Sequence, residues 1–136
     1  MKSWVRQHPG GTIIHAAAVG DYQIRQSEPD RKVPSGQDQW QITLIPAPKI
    51  LDLIHGWSPH ITIVSFKAAP PNTTKKQIET LSESQAQRTH SQVVFANTIG
   101  QFNADIFVWQ KDAGRWFDNR QNALGYLVEW VDSQPD

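Results

Sequence analysis

No cysteine occurs among the 136 residues, which excludes disulfide bonds, thiolate zinc sites and a thiol nucleophile. No apolar run approaches the roughly 18 residues that a membrane-spanning helix needs, and the first residues lack the apolar stretch of a signal peptide. We therefore expect a cytoplasmic protein. Thirteen basic residues balance thirteen acidic ones, so no bulk charge attracts nucleic acid or an anionic membrane. Any site that binds an anion must therefore depend on a few neighbouring residues and not on the net charge of the chain.

The residues that are present suit a packed core. Six tryptophans and a hydrophobic fraction of 38% argue against disorder, and the length predicts one domain over residues 1–136. Periodicity predicts strands at 12–19, 40–45, 61–66 and 92–96, helices at 49–57 and 74–90, a hairpin at 105–109 and 115–117, and a last helix with the apolar stripe Leu124, Leu127, Val128 and Val131.

This order predicts an α/β class: a Rossmann-like three-layer sandwich with a mainly parallel sheet and a C-terminal antiparallel hairpin. The strand at 12–19 is apolar on both faces, which is typical of a strand in the middle of a covered sheet. Residues 23–39 carry Pro29, Pro34 and Gly36 without an apolar period, which predicts a long and functional loop. Ligands of such sheets bind beyond the carboxyl ends of the strands, so the residues around these ends are the candidates.

Five candidate residues lie along the first strand and the loop that follows it. The small side chains of Ala16, Ala17 and Ala18 let a ligand approach the backbone, or simply allow tight packing. Asp21 suits ribose hydroxyls or a divalent ion, or is an ordinary turn residue. Lys32 suits a phosphate or a developing oxyanion, or is a solvated loop lysine.

The other candidates follow later strands. Pro48, Lys49, Ile50 and Leu51 open a helix whose free N–H groups suit an anion or the edge of a base, although Pro is common at such a position in any helix. Phe66 stacks on a base or belongs to the core, and Asn97 ends its strand. The histidines have no metal-ligand spacing, and no phosphate-binding glycine motif or nucleophile elbow occurs.

Five motifs in order carry a family resemblance: HAAAVGDY at 15–22, DRKVPSG at 30–36, WQITLIPAPKIL at 40–51, IVSFKA at 63–68 and VVFANTI at 93–99. Together they resemble phosphopantothenoylcysteine synthetase, from about Thr12 through the last helix. The resemblance implies a ligase of coenzyme A biosynthesis. In this reaction the carboxylate of 4'-phosphopantothenate attacks the α-phosphate of CTP or ATP, pyrophosphate leaves, and the amine of cysteine attacks the acyl-nucleotide.

The resemblance also implies roles and partners. Lys32 matches the catalytic loop lysine, and Asn97 matches an asparagine that positions substrate or is structural. Mg²⁺ with CTP or ATP, a homodimer whose active-site loop works near the subunit interface, and no FMN are expected, with no nucleic-acid or membrane partner. The positions that match nucleotide-binding residues are Ala16, Ala17, Ala18, Asp21, Pro48, Lys49, Ile50, Leu51 and Phe66.

Two departures from the family leave alternatives open. The opening βαβ segment of the family, with its Gly/Ser-rich loop, has no counterpart here, so we expect the chain to need that segment from elsewhere. Gln85 and Thr89 stand where bacterial members have lysines, with Arg88 the nearest cation. A noncatalytic remnant that dimerises or binds nucleotide weakly is therefore the second hypothesis. An NAD-dependent oxidoreductase ranks last because the Gly-rich first turn is missing.

Overall fold

The computed structural model describes residues 1–25, 36, 39, 41–111 and 113–134. Their contacts form two units, Met1–Ala16 with Ile50–Asp136, and Ala17–Lys49. None of the helices in the described part has the length and apolar composition that crossing a membrane requires. The elements are β1 (Thr12–His15), β2 (Tyr22–Ile24), β3 (Leu44–Pro46), β4 (Thr62–Ala69), β5 (Val93–Thr98), β6 (Ile106–Gln110), β7 (Ala113–Phe117), α1 (Lys2–Gln7), α2 (Ile50–Trp57), α3 (Lys75–Thr89) and α4 (Arg120–Asp132).

The first unit contains a five-stranded sheet in the order β1-β4-β5-β6-β7. β1, β4 and β5 pair in parallel, whereas β6 and β7 add an antiparallel hairpin. Strands β4 and β5 are joined by α3, and parallel neighbours require such a crossover connection. The predicted α/β class with a C-terminal hairpin is therefore confirmed.

Helices cover both faces of this sheet. On one face, Val5 of α1 and Ile54 of α2 pack with Ile13 and Ile63, and α3 covers the neighbouring part through Ile78. On the opposite face, Ala123 and Leu127 of α4 pack with the buried residues Val64, Val93, Phe95, Ile106 and Val108. Alternate strand residues thus face different helices, which gives the predicted three layers.

Local signals placed α3 correctly. The Thr74 hydroxyl accepts a hydrogen bond from the Gln77 backbone N–H, and the Gln77 side chain accepts one from the Thr74 N–H, forming a capping box. Such caps satisfy amides that the helix itself leaves free. The predicted inward residues Ile78 and Ala86 are buried.

The prediction for the first strand was wrong in position and length. β1 ends at His15 and lies at an edge of the sheet, not in its middle. Among the described residues it pairs only with β4, and Ile14 is 52% exposed. A strand that is apolar on both faces is expected to be buried. Whether it is buried depends on which strands and helices lie beside it, and the apolar run does not determine these.

Strands β4 and β5 extend beyond their predicted ends. Lys67, Ala68 and Ala69 continue β4 because they pair with Ala96–Thr98 of β5. Phe66 therefore lies within its strand rather than at its end. In α4 the predicted inward residue Val128 is 58% exposed, while Ala123 is fully buried, because the face that meets the sheet is rotated from the predicted stripe.

The second unit contains a two-stranded antiparallel ribbon of β2 and β3. Tyr22 pairs with Pro46 and Ile24 with Leu44. The sequence predicted residues 23–39 as loop, and the structure contradicts this at Gln23 and Ile24, which belong to β2. The strand predicted at 40–45 in the parallel sheet instead begins at Leu44 and pairs in the ribbon. Period-two alternation indicates a strand without naming its partner. Trp40 and most of the predicted loop lie outside the described residues.

Candidate functional site

Phe66 and Asn97 lie on the same face of the sheet. Asn97 is one residue before the end of β5, and Phe66 is three residues before the end of β4. Phe66 is paired with Phe95, and Ala68 with Asn97. Side chains two residues apart on a strand point to one face, so this register aligns the two candidates. Ala16 directly follows β1, which pairs in parallel with β4 and ends toward the same edge.

Phe66 is half-buried and belongs partly to the core. Its ring centroid is 5.2 Å from that of Phe95 at an interplanar angle of 35°, and it packs against the cluster under α4. The residue as a whole keeps some exposure. Phe66 therefore packs against the core without being fully buried, and contact with a base remains a prediction.

The backbone of Phe66 is tied to α3 by a buried amide. Gln85 Nε2 donates to the Phe66 carbonyl oxygen at 3.2 Å and to Ser65 Oγ at 2.9 Å. Sequence reasoning considered Gln85 only as a replaced lysine and missed this role. The signal available was its spacing of one heptad from the buried Ile78, which places both on the inward face of α3.

Asn97 is buried, and its Nδ2 donates to the Thr98 carbonyl oxygen at 3.3 Å. After β5 the chain turns sharply at Gly100, with φ +88°. The Ile99 N–H donates to the Ala69 carbonyl oxygen at 2.9 Å. This turn holds the ends of β4 and β5 together, and the contacts of Asn97 fit the structural role.

The helix α2 begins at Ile50, one residue after its predicted start. Ile50 and Leu51 are half-buried, and Leu51 packs against the cluster of α1 and α2. Asp52 in the first turn forms an ion pair with Arg88. The side chain of Leu51 is thus part of the core, which leaves the backbone of this turn as the group available to a ligand.

The positions at which the family resemblance implies lysines are buried here. Gln85 and Thr89 face the sheet, and the Thr89 hydroxyl donates to the Gln85 carbonyl oxygen at 2.8 Å. Arg88, the nearest cation, is paired with Asp52. These positions therefore support packing in this chain.

The remaining candidates belong to the second unit. Ala17, Ala18, Asp21, Pro48 and Lys49 are exposed. The Asp21 carbonyl oxygen accepts a hydrogen bond from the Ala47 N–H at 2.9 Å, so the ribbon brings Asp21 beside the segment that leads to Pro48 and Lys49. Lys32 lies outside the described residues.

Within the described ranges, no three His, Asp or Glu side chains gather closely enough to hold a metal ion. Mg²⁺ usually binds through one or two carboxylates plus substrate phosphates. The single exposed carboxylate of Asp21 is compatible with an ion held mainly by phosphates.

A separate cleft of about 660 Å³ lies between α3 and the β6–β7 hairpin. Its walls include Glu79, Phe107 and Trp109. The indole N–H of Trp116 donates to Glu79 at 3.1 Å, and this bond, aided by Lys76, lowers the pKa of Glu79. Phe107 and Trp109 point to the face opposite Phe66, so the cleft is not part of the candidate site.

The fold and the strand-end residues define a three-layer α/β protein with a candidate ligand site at the carboxyl edge of its parallel strands. Residues 1–123 match the model of the DNA/pantothenate metabolism flavoprotein C-terminal domain, and the chain belongs to this family. The predicted resemblance to phosphopantothenoylcysteine synthetase is confirmed.

A curated relative agrees with this assignment. The coenzyme A biosynthesis bifunctional protein CoaBC of Thermococcus kodakarensis is 31% identical over 93 residues, which are 68% of this chain and 22% of that protein. The chain thus spans about a fifth of the relative. The family and this relative connect the chain to coenzyme A biosynthesis.

Solved structures share the fold. The DNA/pantothenate metabolism flavoprotein from Streptococcus pneumoniae has a TM-score of 0.77 at 18% identity, covering 96% of this chain and 67% of that one. The C-terminal domain of a CoaBC protein has a TM-score of 0.64 at 16% identity, covering 96% and 58%. A Cab2 variant in complex with phosphopantothenate-cysteine has a TM-score of 0.64 at 21% identity, covering 88% and 43%.

Proposed function

We propose that the chain is the nucleotide-binding part of a ligase that joins 4'-phosphopantothenate to cysteine. The observation that carries this proposal is the shared face of Phe66 and Asn97 in the carboxyl-terminal halves of β4 and β5, in a chain of this family. Open α/β sheets bind ligands at the carboxyl edge of their strands.

The proposed reaction needs a site that stabilises negative charge. The 4'-phosphopantothenate carboxylate attacks the α-phosphate of CTP or ATP and pyrophosphate leaves. The cysteine amine then attacks the acyl carbon, loses a proton and releases the nucleoside monophosphate as the amide forms. Lys32 stabilises the charge that develops in both steps.

The family resemblance assigns nucleotide contacts to the remaining candidates. It assigns contact with the base to Phe66 and to the backbone of Pro48, Lys49, Ile50 and Leu51. The small residues Ala16, Ala17 and Ala18 admit the sugar close to the main chain. Asp21 binds ribose hydroxyls or assists Mg²⁺, which when bound neutralises phosphate charge. We propose no role for FMN.

We further propose that activity requires a segment that pairs with the outer edge of β1. The edge is unpaired among the described residues, and Ile14 beside it is exposed. Parallel strands are normally covered on both faces, so an added strand and helix would bury this part of the sheet. The segment can come from the same polypeptide or from a second one.

Pyrophosphate release tests the proposal. The chain is incubated with Mg²⁺, 4'-phosphopantothenate, and CTP or ATP, alone and with an added N-terminal segment from a family member. Release that depends on 4'-phosphopantothenate supports a ligase, and its absence in both arms contradicts one. Lys32→Gln should reduce the rate at least tenfold, because one charge-assisted contact is worth about 1.5–3 kcal/mol. Lys2→Gln on α1 is the matched control.

We propose that the active form is a homodimer held by the apolar face of the ribbon. This face consists of Tyr22, Ile24, Leu44 and Pro46, which the pairing aligns on one side. Tyr22, Ile24 and Leu44 are 64%, 58% and 57% exposed. An isolated two-stranded ribbon is marginal in water, and a two-fold axis would bury this face against itself.

Sedimentation equilibrium tests the dimer. The unsubstituted chain should sediment as a dimer, and Leu44→Asp should sediment as a monomer because it buries a charge in the contact. Gln23→Asp, on the other face of the same ribbon, is the matched control and should remain dimeric. A monomeric unsubstituted chain, or a dimeric Leu44→Asp, contradicts the proposed interface.

A noncatalytic module that binds nucleotide or dimerises is the second candidate. It is favoured by the burial of Gln85 and Thr89 and by the pairing of Arg88 with Asp52, which removes three positions from phosphate neutralisation. Under this alternative, calorimetry detects nucleotide binding or sedimentation detects a dimer, while no pyrophosphate is released with any added segment.

A further inference from the structure

Arg120 begins α4 at the edge of the sheet where β4 and β5 end. The preceding strand, β7, ends at Phe117, which pairs with Ile106 at the start of β6. Because β6 is antiparallel to β5, its start lies at the carboxyl edge of β5. The Arg120 N–H also donates to the Asn103 carbonyl oxygen, in the connection between β5 and β6, at 3.2 Å.

The side chain of Arg120 reaches the aromatic pair on this face. Its guanidinium carbon is 5.3 Å from the ring centroid of Phe95, and the ring centroids of Phe95 and Phe66 are 5.2 Å apart. Arg120 and Phe66, the candidate for contact with the base, therefore both contact the ring of Phe95. The attraction between the guanidinium and the face of the Phe95 ring favours this position of the side chain.

The environment of Arg120 suits an incoming anion. The guanidinium of arginine carries N–H donors in a planar fork that matches two oxygens of a phosphate. The ion pairs within the described ranges use Lys75, Lys76 and Arg88, and none uses Arg120. A cation in the first turn also gains nothing from the helix dipole, so the helix itself does not explain this residue.

The backbone of the same turn is already occupied. Asn119 Oδ1 accepts a hydrogen bond from the Asn122 N–H at 2.9 Å, and the Arg120 N–H is used by Asn103. The side chain of Arg120 is therefore the group in this turn that we expect to bind an anion. Substitution of this single residue can test that expectation.

We propose that Arg120 binds a phosphate group of the ligand held beside Phe66. This inference rests on the proposed nucleotide-binding function. The phosphate belongs either to the nucleotide or to 4'-phosphopantothenate, and in both cases the contact is a bidentate hydrogen bond to a phosphate dianion or diester.

Isothermal titration compares phosphorylated ligands with their parent compounds. The full chain, with its Mg²⁺ and any added segment that activity requires, is titrated with CTP, cytidine, 4'-phosphopantothenate and pantothenate. Arg120→Ala should weaken one phosphorylated ligand about 10- to 100-fold, since a hydrogen bond to a charged group is worth about 1.5–3 kcal/mol. The affinity for the matching unphosphorylated compound should change less than twofold.

Arg115→Ala is the matched control. Arg115 also lies over aromatic rings, at 5.1 Å from Phe117 and 5.6 Å from Tyr126, but it is separated from Phe66 by two further strands. It should leave all affinities within twofold. Arg120→Lys should recover part of the lost affinity, because a lysine keeps the charge without the fork. If Arg120→Ala fails to fold, Arg120→Gln takes its place.

Each outcome decides between the claims. Loss confined to CTP, or confined to 4'-phosphopantothenate, supports the inference and identifies the phosphate. Unchanged binding of both by Arg120→Ala overturns the inference while leaving the proposed function intact. Equal loss for phosphorylated and parent compounds also overturns it, because Arg120 then acts by supporting Phe95. If the unsubstituted chain binds none of these ligands, the proposed function fails together with the inference.

Discussion

The parallel strands of the first unit and the ribbon of the second use similar apolar residues but bury them differently. Ile63 in β4 is fully buried between helices, whereas Ile24 in β2 is 58% exposed. The five-stranded sheet has helices on both faces, and the ribbon consists of two strands. The same β-branched side chain therefore stabilises the fold in one unit and remains available for contact in the other.

The largest difference should appear when the same side chain is truncated in both units. Ile63→Ala should lower the free energy of unfolding by about 2–5 kcal/mol, because it leaves a cavity in a core that cannot fully collapse. Ile24→Ala should change it by about 0.5 kcal/mol or less. Urea denaturation at a concentration where the chain is monomeric measures both. Equal losses would mean that the ribbon is as well packed as the sheet.

A pair of glycine substitutions sharpens the comparison within the first unit. An added Cβ at Gly114 meets the Phe107 ring at 2.5 Å, and Phe107 is buried, so Gly114→Ala should cost about 1–3 kcal/mol through overpacking. Gly125 in α4 has open space around it, and Gly125→Ala should stabilise by about 0.5–1 kcal/mol. Thermal unfolding of both variants is the test: the melting temperature should fall for Gly114→Ala and rise for Gly125→Ala.

Removing the amide that ties α3 to β4 should have an effect of similar or smaller size. Gln85→Ala leaves Ser65 Oγ and the Phe66 carbonyl oxygen without this donor, and an unsatisfied buried group costs about 1–3 kcal/mol. Gln87→Ala, on the exposed side of the same helix, is the control and should cost less than about 0.5 kcal/mol. Urea denaturation of the two variants is compared, and identical midpoints would contradict a structural role for Gln85.

The smallest effect concerns the exposed carboxylate of Glu79. The Trp116 indole, together with Lys76, lowers its pKa below the ordinary value of 4.5. A lowered pKa adds stability above the unfolded value, and this stability is lost as the pH falls through the folded value. Trp116→Phe should raise the pKa of Glu79 toward 4.5, as measured by NMR titration of the side-chain carboxyl carbon. An unchanged titration curve would exclude the indole as the cause.

Elements with local signals were predicted well from the sequence. The capping box at Thr74 and Gln77 begins α3, and the β-branched run beginning at Thr62 forms β4. The hairpin of β6 and β7 also appears close to its predicted position. These signals are local because a cap, a turn and a period of two each depend on residues that are near one another in the chain.

The sequence predicted which residues belong to the candidate site but not how these residues are arranged in space. The motifs led to Phe66 and Asn97, and the register of β4 and β5 puts them on one face. No motif led to Arg120, whose guanidinium lies over the ring of Phe95. This contact joins two residues between which the β6–β7 hairpin lies along the chain.

The sequence alone determined the α/β class, the family and the positions of most helices and strands, because side-chain periodicity, caps and motif order are properties of neighbouring residues. Tertiary structure alone decided that β1 lies at an edge, that β2 pairs with β3, and that Gln85 holds the backbone of Phe66. These features depend on which distant segments meet, and backbone hydrogen bonding between strands is possible with many partners of the same alternation.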